Sequence, residues 1–408
     1  MRTIGVIGGG AAGMMAAIAA AGQGARVTIL EANDRLGRKI LSTGNGKCNL
    51  GNEHLDLKEY YTGEPAFVEK CLRRFSTDDM VLFFHKSGLL VKSKNGYLYP
   101  ASEQASSVLD VLRFEVAAAG IEVVTGCRVE RIERDERAVS LRVLGGGKNF
   151  VFDRVILAAG GRAAPKTGSD GSGYLLAKRL GHNLVPTVPA LVQLRCRENF
   201  FKSIAGVRTE AELSLMEAGE CRSKERGELQ LTEYGISGIP VFQISRQVNY
   251  RLLRESEVEI VIDFLPDFTT EAYERLYISR LLLQGERTVE EFFTGMLNKK
   301  LMQLFVRLAG LKPTEDIETA DREKIKKVFA LCRRFVVHVT GHNGYDNAQV
   351  CAGGIPLAEV TENLESVKAP GVYFAGEILD VDGRCGGYNL QWAWSSGYIA
   401  GTAAADKG

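Results

Sequence analysis

The chain opens with a short apolar run at residues 3–7, and it then places Gly8, Gly10 and Gly13 in the spacing G-x-G-x-x-G. The Ala-rich segment 10–21 comes next with Met14, Met15 and Ile18, and residues 26–31 (RVTILE) form a second apolar run. Strand, glycine turn, helix and strand in this order specify a βαβ unit that binds a dinucleotide. The first glycine makes the tight turn, the second lets the backbone approach a pyrophosphate, and the third lets helix and strand pack closely. Helix N-terminal amides and the helix dipole then hold the phosphate charge. Glu31 ends the second run, where a carboxylate binds ribose hydroxyls and disfavours a 2′-phosphate.

Bulk properties narrow the class. A chain of 408 residues builds two or three domains with substantial cores. Net charge +1 argues against a nucleic-acid partner, which would call for a basic excess. No stretch approaches the roughly 20 apolar residues of a membrane span. The opening MRTIGVIGGG runs straight into a strand and leaves no room for a signal peptide, so the expected location is cytoplasmic. Eight cysteines form no Cys-x-x-Cys pair and five histidines show no metal spacing, so no metal site is expected.

Further elements are read from periodicity. Residues 66–90 and 103–119 read as helices, with a hairpin at 90–99 turning at Asn95-Gly96. Strands are expected at 122–135, 138–143 and 150–158, with a glycine turn at 145–147. Alternating runs between 192 and 264 suggest a small antiparallel sheet or barrel, and 270–335 is helical in period. Near the end, residues 371–375 (GVYFA) form another strand.

The segments beyond Glu31 decide which dinucleotide binds. The glycine-rich loop 42–49 (STGNGKCN) suits a chain running past a ribityl group and a flavin ring. Residues 153–161 (DRVILAAGG) and 371–380 (GVYFAGEILD) are similar to the later flavin-contact motifs of glutathione-reductase-like proteins. Together and in this order these segments point to FAD.

Three segments make the resemblance narrower: 37–49 (GRKILSTGNGKCN), 232–240 (TEYGISGIP) and 380–401 (DVDGRCGGYNLQWAWSSGYIAG). They resemble a bacterial flavoprotein family that includes aminoacetone oxidases and 3-dehydro-bile-acid reductases of the BaiN type. The resemblance covers nearly the whole chain. Members often carry Thr-Ala-Gly-Gly where this chain has Cys351-Ala352-Gly353-Gly354, and Gly-Gly-Arg-Cys-Asn where it has Asn45-Gly46-Lys47-Cys48-Asn49. The fold it implies is α/β: a split Rossmann-like, glutathione-reductase-type FAD-binding domain with inserted antiparallel barrel-like and helical domains. The boundaries are 1–190 and 336–408 for the FAD domain, 191–266 for the β-rich insert and 267–335 for the helical insert.

Carried over by motif, Gly8, Gly10, Ala11, Ala12 and Gly13 face the pyrophosphate, and Glu31 faces the adenosine ribose. Arg38 and Lys39 lie near the phosphates or ribityl, and Asn45 and Asn49 approach the flavin. The Val129 backbone meets adenine, while Gly376, Glu377 and Asp380 serve the ribityl end. Gly387, Asn389 and Leu390 open the last helix toward the flavin N1/C2 region. Ala32, Gly46, Ala159 and Gly160 complete the expected cofactor set.

The expected chemistry is hydride transfer through flavin N5 to a small-molecule substrate held between the nucleotide domain and the inserts. Tyr388 and Tyr234 are candidate substrate contacts, and His338 and His342, flanking a Thr-Gly turn, are candidate proton donors. Each has a plainer reading, as a core aromatic or a structural histidine. Cys48 and Cys385 are candidate flavin contacts. The loop 168–173 (GSDGSG) lacks a preceding strand, so no second Rossmann site is expected, and NAD(P)H would dock transiently at the flavin face. An oxygen-dependent amine oxidase, a flavin-dependent RNA-modifying enzyme and a flavin-binding sensor are the alternatives. Oligomeric state is left open.

Overall fold

The first apolar run forms strand β1 (Thr3–Ile7), which lies parallel to β2 (Arg26–Leu30), with Ile4 opposite Val27. Helix α1 (Ala11–Gly22) joins them and buries Met14, Met15, Ala16 and Ala20. The computed structural model describes residues 1–135, 138–144, 149–282 and 285–406, so the expected 145–147 turn lies outside the described residues.

Three more strands complete the parallel sheet: β3 (Glu122–Val124), β4 (Arg154–Leu157) and β5 (Val372–Phe374). Their order is β5-β4-β1-β2-β3. The neighbours of β1 continue the chain on opposite sides, which opens a crevice at its C-terminal end. Because β5 comes from residue 372 onward, both ends of the chain build one sheet. The C-terminal helix (Tyr388–Ala405) returns across α1 in backbone contact. A Cβ on Gly401 would lie 2.1 Å from Ala16 O, and one on Gly397 2.5 Å from Ala12 O.

Several expected elements are shorter than their periodicity suggested. The run 122–135 is two strands, because Gly126 turns the chain at φ +63°. β3 joins the parallel sheet, while Val129–Arg134 pairs antiparallel with Val139–Val143. The run 150–158 divides at Asp153, whose carboxylate accepts the Thr3 N–H at 2.7 Å and the Thr3 hydroxyl at 2.9 Å. The 66–90 helix is two helices, Pro65–Arg74 and Thr77–Lys86. Ser76 and Asp79 cap the second with reciprocal bonds of 2.8 and 3.2 Å, a start signal inside the apolar run.

Residues Met1–Pro189 and Tyr345–Gly408 form one compact unit, and Ala190–Gly344 forms a second. In the second unit six antiparallel strands close a barrel: Leu194–Cys196, Gly235–Gly238, Glu220–Thr232, Arg208–Glu217, Val258–Asp263 and Phe335–His342. The helix Ile239–Arg251 lies within the stretch read as purely alternating, and it buries Val241, Ile244 and Val248 at helical spacing. Helices Val289–Phe293, Lys299–Ala309 and Arg322–Arg333 share the barrel's core. Phe335 sits 5.0 Å from Phe305 and 6.0 Å from Phe264, centroid to centroid. The expected divide at 266/267 therefore falls inside one continuous core. The return to the nucleotide unit comes at Tyr345 and not at 336, because the strand Phe335–His342 is needed to close the barrel between Val258–Asp263 and Leu194–Cys196. Among the described residues no helix is long and apolar enough to cross a membrane. Nor does any group of three His, Cys, Asp or Glu side chains there suit a metal ion.

Candidate dinucleotide cradle

The turn after β1 leaves room at one glycine and none at its neighbours. Gly8 sits at φ +101°, and a Cβ there would meet Ala158 O at 2.6 Å. A Cβ on Gly13 would lie 1.9 Å from Gly8 O, so this residue packs beneath the turn. At Gly10 a Cβ would meet nothing within 4 Å, and the side faced is open space. Gly10 also begins α1 without a side-chain cap, which leaves the first helical amides to an incoming acceptor.

Glu31 is buried at the end of β2 and held at both oxygens. Oε2 accepts the Gly9 N–H at 2.7 Å, and Oε1 accepts the Asn33 N–H at 2.8 Å and side-chain amide at 2.6 Å. A carboxylate offers about four lone-pair sites, so room remains for hydroxyl donors. Asn33 further binds Thr167 O at 3.2 Å and receives Arg38 Nη1 at 3.1 Å.

These groups border a cavity of about 1280 Å³ with its open mouth included, lined by both ends of the chain. Of the expected residues, Gly8, Gly10, Ala11, Ala12, Glu31, Ala32, Arg38, Lys39, Val129, Ala159, Gly160, Gly376, Glu377, Asn389 and Leu390 line it. Lys39 Nζ lies 2.6 Å from Glu377 Oε2, and Glu377 Oε1 accepts the Cys351 N–H at 2.6 Å. Asn389 closes the turn before its own helix, accepting the Gly383 N–H at 2.9 Å and donating to Gly383 O at 2.7 Å.

Gly13, Asn45, Gly46, Asn49, Asp380 and Gly387 are not in that lining. Asn45 and Gly46 are exposed in a loop that turns through positive φ at 53° and 85°. The amide nitrogen of Asn49 faces Leu98 O at 3.1 Å and Gly51 O at 2.7 Å, which fixes it to the neighbouring hairpin. Asp380 is buried beside Ile355, whose carbonyl accepts its N–H at 2.8 Å. Gly387 caps the C-terminal helix at φ 93°, hard against the Gly51 backbone.

The expected site set omits Asn33, Arg128, Gln349 and Trp392, and also Thr167, Gly168, Ser169 and Ser172 in and beside the GSDGSG loop, yet all of them line the cavity. Arg128 Nη1 is anchored 2.7 Å from Asp170 Oδ2. Burial works against ionisation of Asp170, but hydrogen bonds from Ser172 and Arg128 outweigh it and hold the carboxyl below its ordinary range. Among the described residues the Ser169 hydroxyl, buried in this wall, has no hydrogen-bond partner. Buried polar groups are nearly always paired, so this hydroxyl marks a place for a polar ligand atom. Uncapped amides, flanking cations and an unpaired hydroxyl, with a fixed carboxylate as acceptor, are a set of groups that fits FAD.

The candidates for substrate chemistry lie elsewhere. Tyr388 is buried, its hydroxyl accepting the Asp56 N–H at 3.3 Å and its ring 5.2 Å from Tyr60. Tyr234 belongs to the second unit, where the Arg195 guanidinium lies 5.5 Å from its ring. His338 Nδ1 lies 2.7 Å from Glu198 Oε1 on a barrel strand, and His342 Nδ1 accepts the Gly344 N–H at 3.0 Å. None of the four lines the cradle, and neither does Cys48 or Cys385. Among the described residues, which include all eight cysteines, no two cysteines form a disulfide.

Comparison with known proteins agrees with this architecture. Residues 2–403 match the family model described as HI0933-like protein Rossmann domain. The chain is 44% identical to the 3-dehydro-bile acid delta(4,6)-reductase of Clostridium scindens, over 100% of both chains. It is 30% identical to the ribosomal RNA dihydrouridine synthase of Haemophilus influenzae, over 96% of each. Among solved structures, 3-ketosteroid delta1-dehydrogenase from Sterolibacterium denitrificans is similar in fold, with TM-score 0.51 and 12% identity, covering 99% of this chain and 100% of that one. The chain belongs to the HI0933-like family.

Proposed function

We propose that the protein is an FAD-dependent oxidoreductase that saturates a carbon–carbon double bond conjugated to a carbonyl, in a small ring-shaped substrate, with NAD(P)H as transient donor. The observation that carries this reading is the full-length 44% identity to a delta(4,6)-reductase of an oxidised bile acid. The name of the second relative points to the same reaction type, since making dihydrouridine saturates a ring double bond conjugated to a carbonyl. Neither name denotes an oxidase, which favours reduction over amine oxidation.

When bound, FAD supplies two-electron chemistry at its N5. The chain's own part is to bind and orient. The first amides of α1 take the pyrophosphate, and Glu31, held by Gly9 and Asn33, takes the ribose hydroxyls. Lys39 and Glu377 tie the two ends of the chain together along the ribityl segment. The N-terminal amides of the C-terminal helix favour a negative charge beside them.

The test is anaerobic mixing of the yellow protein with NADH or NADPH, followed by a candidate acceptor. Bleaching of the flavin, then recovery of its colour on adding a 3-oxo-Δ4 steroid acid, is the expected result. Recovery with a uridine-containing ribosomal RNA fragment but not with the steroid would move the substrate to RNA. Bleaching by aminoacetone and not by either nucleotide would replace the reductase by an oxidase.

A further inference from the structure

One face of the first unit is unused by the cradle and borders it. The hairpin strands Val91–Lys94 and Tyr97–Pro100 place Lys92 opposite Tyr99 and Lys94 opposite Tyr97. Successive strand residues face opposite sides, and directly opposed residues share a side. Leu98 and Pro100 are buried, so Tyr97, Tyr99, Lys92 and Lys94 occupy the other side, Tyr97 being 40% exposed.

Two short bridges connect this face to the cradle. Thr43 lines the cavity, and a Cβ on the adjacent Gly44 would lie 3.9 Å from Tyr99 Cε1. Gln349 also lines it and lies 3.8 Å from Cys385 Sγ. A Cβ on the adjacent Gly386 would lie 2.5 Å from Tyr97 Cε1, so only glycine lets the ring sit there.

The charge of the face is lopsided. Glu103 binds Lys47 Nζ at 2.8 Å and Lys92 Nζ at 2.7 Å, one carboxylate between two ammonium groups. Lys94 adds a third cation across from Tyr97. Glu53 accepts the Ser93 hydroxyl at 2.7 Å, from a residue of the opposite side of the hairpin.

We propose that Tyr97, Tyr99 and Lys94 form the recognition face for a rigid apolar ring system that carries a carboxylate tail. The aromatic rings cover the ring system, and the lysine pairs with the carboxylate. The inference rests on the reading of the site as an enone reductase and names the substrate class, an amphipathic ring acid. A nucleic-acid strand would need a longer basic track than one short hairpin offers, and the chain's net charge is +1.

The probe is a saturated 3-oxo cholanic acid, which has no ring double bond left to reduce, together with its methyl ester. Calorimetry on the oxidised FAD-loaded protein is expected to show the acid binding more tightly. Lys94→Glu should lower acid affinity by about fivefold, the size of an exposed ion pair, and leave the ester unchanged. Tyr97→Ala should weaken both by about tenfold, with an unaltered flavin spectrum as the folding control. Equal affinity for acid and ester, in wild type and in Lys94→Glu, overturns the recognition face while leaving the enone reading intact. Binding of an RNA fragment with neither steroid bound overturns both.

Discussion

Lys39 Nζ stands 2.6 Å from Glu377 Oε2, an ion pair between residues 338 positions apart. Both side chains are mostly enclosed, at 25% and 19% exposure, in the wall of the cradle. Lys39→Met would leave Glu377 with the Cys351 amide alone. A hydrogen bond to a charged group contributes about 1.5–3 kcal/mol, so FAD affinity should fall by about tenfold or more. Flavin retained after ultrafiltration measures this, and unchanged retention would separate the pair from the cofactor.

Gly10 and Gly13 should respond in opposite ways to the same substitution. Gly10→Val directs its side chain into open space, so the protein should fold with an ordinary melting temperature and purify colourless. Gly13→Val collides with Gly8 O, and overpacking of this kind costs about 1–3 kcal/mol or more. Its signature is a lowered melting temperature. A stable, yellow Gly10→Val protein would refute the assignment of that space to a dinucleotide.

Acid should destabilise the first unit through a buried cluster. Ser366 Oγ accepts the N–H groups of Lys368 at 3.1 Å and Ala369 at 2.8 Å, so its own proton points to His182 Nε2, 2.7 Å away. His182 Nδ1 then carries the ring proton and donates to Glu359 Oε2 at 2.9 Å. Burial holds the His182 pKa below its ordinary 6.5, although Glu359 opposes this. As pH falls through 6.5 the unfolded chain takes up a proton that the folded protein refuses, so stability declines. Glu359 acts in the same direction at lower pH. Burial alone would raise its pKa, but bonds from Lys368, Asn183 and His182 bring it down to about 2. Its contribution is present above about 4.5 and is lost as pH falls toward 2. Melting temperatures at pH 8, 7, 6 and 5 should therefore fall, with a shallower slope in His182→Gln. Parallel slopes would count against this histidine.

Thiol chemistry should spare the interior. Burial pushes Cys48 and Cys351 up to about 11 and Cys385 up to about 12. Cys221 is exposed. Iodoacetamide at pH 8 should label Cys221 within minutes and leave those three unmodified in the folded protein, by mass spectrometry. Rapid labelling of Cys385 with loss of activity would restore it as a candidate flavin contact.

The glycine turn, Glu31 and the two late motifs are legible because each is local: spacing, strand and acid lie within a few residues. The groups behind them are not. Asn33 matters through a bond to Glu31, and Ser169 through a wall that Gly160 makes possible, since a Cβ at Gly160 would lie 2.7 Å from Ser169 Oγ. The GSDGSG loop carries glycine and serine in plain view, but it lacks the preceding strand that would mark it as a nucleotide-binding turn. In the second unit, the helix Ile239–Arg251 hides in a pattern of alternation, although Pro240 near its start is a helix-start signal. The place of the last barrel strand is set by closure, a long-range condition that no local period encodes.

The Gly397 and Gly401 contacts with α1 have a consequence for biosynthesis. The ribosome makes the glycine turn before the barrel, yet β5 and the helix that covers α1 come after it in the chain. Until they do, the apolar strands of the first half have an open flank, and the cradle lacks the wall that Gly376, Glu377 and Trp392 provide. Completion of the cradle therefore waits on segments made after the barrel, whose closing strand Phe335–His342 precedes them in the chain.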